Sequence, residues 1–185
     1  MRILRQIANP PCLAAAYALW WAPFLAGALL KTPTAAIGIL RGVYHGAILD
    51  RLLFHHLPTV VAIAVTNLVF CAVLFAIASM AEADSSTLER VLAWACFLMA
   101  YGINGILVLF TSGQLLGSIA GFWGAIGAMP HMFPELLAYA IPTARMPSGI
   151  TKNAKPAMIT SASLLMVAAA IEAYVTPLIL KKLTP

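Results

Sequence analysis

From Leu57 to Met80 the chain reads LPTVVAIAVTNLVFCAVLFAIASM, without one charged side chain. A helix of about 20 mostly apolar residues spans the hydrocarbon of a bilayer. In hydrocarbon, only a structure that satisfies its own backbone hydrogen bonds is stable. The stretch therefore predicts a transmembrane helix. Leu13–Leu30, Val91–Thr111 and Ala157–Leu180 repeat the pattern. Composition agrees: 62% of residues are hydrophobic and 9% charged, against about 45–50% and about 25% in a soluble domain. Residues 1–185 are read as a single integral membrane domain, a multi-pass protein of the cell membrane. The expected fold is an all-α polytopic helical bundle of about five transmembrane helices. An amphipathic interfacial helix and a Pro-broken helix near 130–135 complete it.

Local signals sharpen this outline. Pro23 falls inside the first span, where it kinks the helix unless a neighbour takes up the carbonyl it frees. Residues 31–56 are too charged to span. Arg41, His45, Asp50, Arg51, His55 and His56 alternate with Ile, Leu, Val and Phe, the pattern of a helix lying in the interface. Its histidines read as a wet face. Pro58 suits a helix start. Ser86 and Glu89 have the spacing of a capping box for the next helix. Gly113, Gly117 and Gly121 recur every four residues, a small-residue face for close helix packing that also makes a homo-oligomer plausible. TARMPSGITKNAKP, with Arg145, Lys152 and Lys155, reads as a polar loop before the last span. With five spans and the N-terminus inside, the basic residues divide almost evenly between the two sides, so they do little to orient the bundle.

Several classes are excluded. The net charge of +5 fits loops facing anionic headgroups, and no basic run interleaved with aromatics points to nucleic acid. Cys12, Cys71 and Cys96 form no CxxC pair, so neither a disulfide framework nor a zinc cluster is expected. The N-terminus MRILRQIANPPC lacks a small-residue cleavage site and does not read as a signal peptide. There is no HExxH and no Gly-x-Ser-x-Gly, so the chain is read as non-enzymatic, with no cofactor and no metal assigned.

The stretch MPHMFPELLAYAIP, residues 129–142, breaks the apolar pattern with His131, Glu135 and three prolines. Pro134 clashes with the carbonyl four residues back if a helix runs through it, so a helix is expected to restart there. Glu135 then sits in the first turn, where the positive end of the dipole favours a carboxylate. Glu172 lies inside the last span. An ionisable side chain at the bilayer centre costs about 2.5–3.5 kcal/mol, so such residues face a bundle interior, a partner or water. The expectation is an intramembrane polar cluster of Asn67, Asn104, His131, Glu135 and Glu172, with Glu172 approaching the broken helix. It either locks the bundle or lines a proton, ion, metal or substrate site.

Four segments carry a family resemblance: TNLVF around Asn67, NGILVLFTSGQLLG from Asn104, MPHMFPELLAYAIP from Met129 and IEAYVTPLILK from Ile171. Their order over residues 52–181 resembles the stage II sporulation protein M family of integral membrane proteins. The chain departs from that pattern at Met132, where glycine often stands, and in its short region between the first two spans. The resemblance implies an all-helical inner-membrane protein of about five spans. It also implies a membrane scaffold or anchor that organises cell-envelope protein partners beside the lipid bilayer. The alternative is an ion- or proton-coupled channel or transporter with a polar core at Glu135, His131 and Glu172. An intramembrane metal-dependent hydrolase ranks third.

Overall fold

A computed structural model describes residues 8–30, 58–81, 85–148 and 154–183, and these are helical with no strand among them. The helices are α1 (Pro10–Leu29), α2 (Thr59–Met80), α3 (Thr87–Tyr101), a π-helical segment (Gly102–Phe110), α4 (Thr111–Ala128), α5 (Met132–Ser148), α6 (Lys155–Tyr174) and α7 (Thr176–Leu183). Four stretches are long and apolar enough to cross a membrane: Pro10–Leu29, Thr59–Met80, the continuous Thr87–Ala128, and Lys155–Lys182. The expected interfacial helix over residues 31–56 lies outside the described residues, as do Glu82, Asp84 and Lys152.

Helix ends follow local chemistry. Pro10 and Pro11 open α1, where their missing N–H groups cost nothing. Ser86 and Glu89 form the capping box: the Ser86 N–H donates to Glu89 Oε2 (2.6 Å), and the Glu89 N–H donates to Ser86 Oγ (3.3 Å).

The centre of the bundle is α5. Leu136, Ala138, Tyr139, Ala140, Ile141 and Ala144 are buried along its length, and α1, α2 and α6 pack around it. Arg145, expected in a polar loop, is instead on this helix and buried, 5% exposed. The helix continues because Pro142 and Pro147 are tolerated inside it, and for Pro142 the reason is visible. Proline at 142 frees the carbonyl of Ala138. Ser161 Oγ of α6 donates to that oxygen (3.1 Å), and Cys71 Sγ of α2 approaches it at 3.8 Å. A break in one helix is thus sealed by side chains of two others, as a low-dielectric interior demands.

Pro23 repeats the device in α1. The carbonyl it frees belongs to Leu19, and Tyr101 Oη donates to it at 2.8 Å. Replacing Tyr101 by Phe strands that acceptor and is expected to cost about 1–3 kcal/mol. Thermal unfolding of the purified protein in detergent reads the loss, with Tyr174→Phe, at an exposed ring, as the control. A Tyr101→Phe protein that melts with the wild type would show that the Leu19 oxygen needs no donor.

α1 and the long helix run parallel. Leu19 meets Tyr101, Gly27 meets Phe110 and Gln114, and Ala28 meets Gly117, the two numbers rising together. The approach is close because glycines face backbone on both sides. A Cβ on Gly113 would strike the Phe24 carbonyl, and one on Gly117 the Ala28 carbonyl. This small-residue face is used within the chain. Gly121 does not extend it. Its φ is +72°, and nothing lies within 4 Å of an added Cβ. It bends α4, in a backbone region that glycine enters at no steric cost.

Candidate functional site

Two helix breaks build the site. At the first, α5 begins at Met132, two residues before Pro134. The Glu135 N–H donates to the His131 carbonyl (3.2 Å), so His131 stands at the cap position. Pro134 is third in the helix, where an N–H has no acceptor in any case. Glu135 projects from the first turn, where the helix dipole favours its charge. Its Oε1 accepts a hydrogen bond from Tyr139 Oη, one turn on, at 3.0 Å.

The second break lies between α6 and α7. Pro177 cannot donate to the carbonyl of Ala173, and the helix is interrupted at Val175. Thr176 comes next, 3% exposed. Its Oγ1 donates to the Ile171 carbonyl (3.4 Å) and lies 2.9 Å from His131 Nδ1. Glu172 is four residues before Thr176, on the same face.

The result is a convergence of three ionisable side chains. His131, Glu135 and Glu172 each present a ligand atom, and these atoms all lie within 4.8 Å of one another. His131 is 5% exposed, and both carboxylates are half-buried. Glu172 of the last long helix therefore does approach the start of α5. Of the other two residues in the expected cluster, Asn67 is half-buried on α2 and Asn104 is half-buried in the π-helical segment. Arg145, ten residues beyond Glu135, stands about 15 Å further along the α5 axis.

Thr176 and Tyr139 do not stand out in the sequence. Each carries a signal all the same: both sit four residues after a site glutamate, at the spacing that stacks side chains on one helical face. Thr176 also precedes a proline, the position that ends a helix.

Two charged carboxylates within 4.8 Å of each other repel, more strongly in an apolar bundle than in water. A cation among them, either a proton or a metal ion, relieves that repulsion, and the imidazole adds a neutral nitrogen donor. A separate groove of about 260 Å³, lined by Ala8, Pro10, Leu13, Ala14, Tyr17 and Leu137, offers apolar surface and no comparable donor set. Comparison with family models, curated proteins and solved structures finds no match to this chain.

Proposed function

We propose that the protein is a multi-pass membrane protein of about five spans that binds a cation inside its bundle, at His131, Glu135 and Glu172, and couples that ion to movement across the membrane. The fifth span on this reading is α5, whose 17 residues measure about 25 Å along the axis. The observation that carries the proposal is the approach of the three ligand atoms to within 4.8 Å, in a chain whose other long helices are almost free of charge. Broken helices with an ionisable side chain beside a helix dipole end are one way that membrane proteins hold ions.

Flux through liposomes tests it. Wild-type protein is expected to move protons or cations down an imposed gradient. Glu135→Gln should reduce the rate at least tenfold while keeping its helical content. An inert wild type would overturn the coupling.

A scaffold that organises envelope partners is the second reading. The order of the four segments resembling the stage II sporulation protein M family supports it, as does the enclosure of α5 on several sides. Since Gly113 and Gly117 pack against α1, a partner or second copy would have to use other surface. Leu98, Met99, Ile103 and Leu107 are 56–63% exposed along the α3 and π-helical stretch. Cross-linking at those positions in membranes distinguishes a partner from lipid there.

A further inference from the structure

We propose that His131, Glu135 and Glu172 form a site for one divalent transition-metal ion of the zinc class, with Thr176 and Tyr139 orienting the ligands. The assignment rests on reading the cluster as an ion site and names the ion.

The donor set selects the class. Calcium takes six to eight oxygens, and magnesium prefers an octahedron of oxygens with several waters. One imidazole with two carboxylates is instead a set that zinc and its neighbours in the first row accept. The spacing is compatible. Ligand atoms at 2.0–2.2 Å from a tetrahedral ion stand about 3.4 Å apart, so atoms within 4.8 Å need to close by about an ångström or a little more.

Charge points the same way. Two carboxylates and a neutral imidazole carry −2, which one divalent ion cancels.

The surroundings of the ligands also fit. A metal-bound histidine almost always donates its other N–H to a fixed acceptor. Here Nδ1 lies 2.9 Å from Thr176 Oγ1, and that hydroxyl's own proton is directed to the Ile171 carbonyl. When the hydroxyl donates to Ile171 it accepts from Nδ1–H, and in that tautomer Nε2 is the nitrogen with a lone pair for the ion. On the carboxylate side, Tyr139 Oη donates to Glu135 Oε1 and helps to orient that carboxylate. Three protein ligands leave the fourth position open, as in exchangeable or catalytic sites and unlike closed structural ones.

Cobalt(II) titration of the untagged full-length protein in detergent tests the site. One equivalent of Co²⁺ should give the visible bands of a four-coordinate ion, and Zn²⁺ should abolish them where excess Ca²⁺ and Mg²⁺ do not. His131→Asn and Glu172→Gln should weaken binding at least 100-fold. Thr176→Val keeps every ligand and should weaken it about 10- to 100-fold, with helical content read on the same samples. Wild type without the bands, or variants that bind as the wild type does, would overturn the metal assignment. The flux assay separates the two readings. Glu135-dependent proton flux in a protein that binds no Co²⁺ overturns the metal and leaves the coupling. Stoichiometric Co²⁺ lost in the variants, in a protein with no flux, upholds the metal and overturns the coupling.

Discussion

Gly113→Ala is expected to drive α1 from the long helix and to cost about 3 kcal/mol or more. The added methyl meets the carbonyl oxygen of Phe24, and its next neighbours are the Phe24 carbonyl carbon and the Ala28 nitrogen, both at 3.0 Å. All of these are backbone, so no rotamer change can make room. Either the helices separate or the π-helical segment between α3 and α4 rewinds. Gly27 and Gly117 face backbone in the same way, so their alanine variants should behave alike. Gly102 and Gly127 are the controls, since nothing lies within 4 Å of an added Cβ at either. Alanine there should be neutral or stabilise by about 0.5–1 kcal/mol through helix propensity. Gly121→Ala falls between. Its space is free, but φ is +72°, a conformation that costs an L residue about 1–2 kcal/mol. Melting temperature and size-exclusion profile in detergent rank the six variants. A Gly113→Ala protein as stable as Gly127→Ala would refute the close approach.

These glycines also show which features are legible in the sequence and which are not. Spacing marks residues 113–121 as a packing face, because a four-residue repeat needs only the geometry of one helix. It cannot say whether the partner is another copy or another segment. That depends on α1, more than eighty positions away, carrying Gly27 at the matching height. Nor does spacing reveal that Gly121 leaves the row, since its positive φ serves a bend in α4 that the repeat does not encode. The prolines behave similarly. Pro23 and Pro134 are recognisable as breakers from local sterics alone. Pro142 does not read as helical, because its tolerance depends on Ser161 and Cys71 reaching the Ala138 carbonyl, a tertiary fact. The same blind spot assigns Arg145 to a loop: a helix that passes two prolines does not read as a helix.

The site itself is half legible. Ionisable residues in an apolar chain are conspicuous, so His131, Glu135 and Glu172 stand out. Their orienting partners, Thr176 and Tyr139, are ordinary in such a chain and gain meaning only from position. The two asparagines attract notice as polar residues inside apolar stretches, and both are half-buried, as a neutral amide can be.

Trp20→Ala should cost about 3–5 kcal/mol and loosen the site as well as the fold. Trp20 is 0% exposed. Its ring packs against Phe70 of α2, Phe97 and Tyr101 of α3, and Tyr139 of α5, with centroids between 5.2 and 6.4 Å. Its Nε1–H donates to Thr143 Oγ1 at 3.1 Å, and Thr143 in turn donates to the Tyr139 carbonyl. One side chain of α1 therefore fixes Tyr139 from two directions, through the ring and through Thr143. Tyr139 passes that constraint to Glu135 through its hydroxyl. Trp20→Phe separates the contributions. It keeps an aromatic ring in the pocket and removes the donor, so it should lose about 1–3 kcal/mol for the hydrogen bond that Thr143 no longer accepts and the lost ring volume. The functional readout is cation affinity at His131, Glu135 and Glu172, measured well below the melting temperature of each variant. Affinity that falls in the order wild type, Trp20→Phe, Trp20→Ala would mean that the aromatic core holds Glu135 in place. Affinity unchanged in Trp20→Ala, despite a large drop in melting temperature, would mean that α5 positions Glu135 by its own first turn, and that the core supplies stability alone.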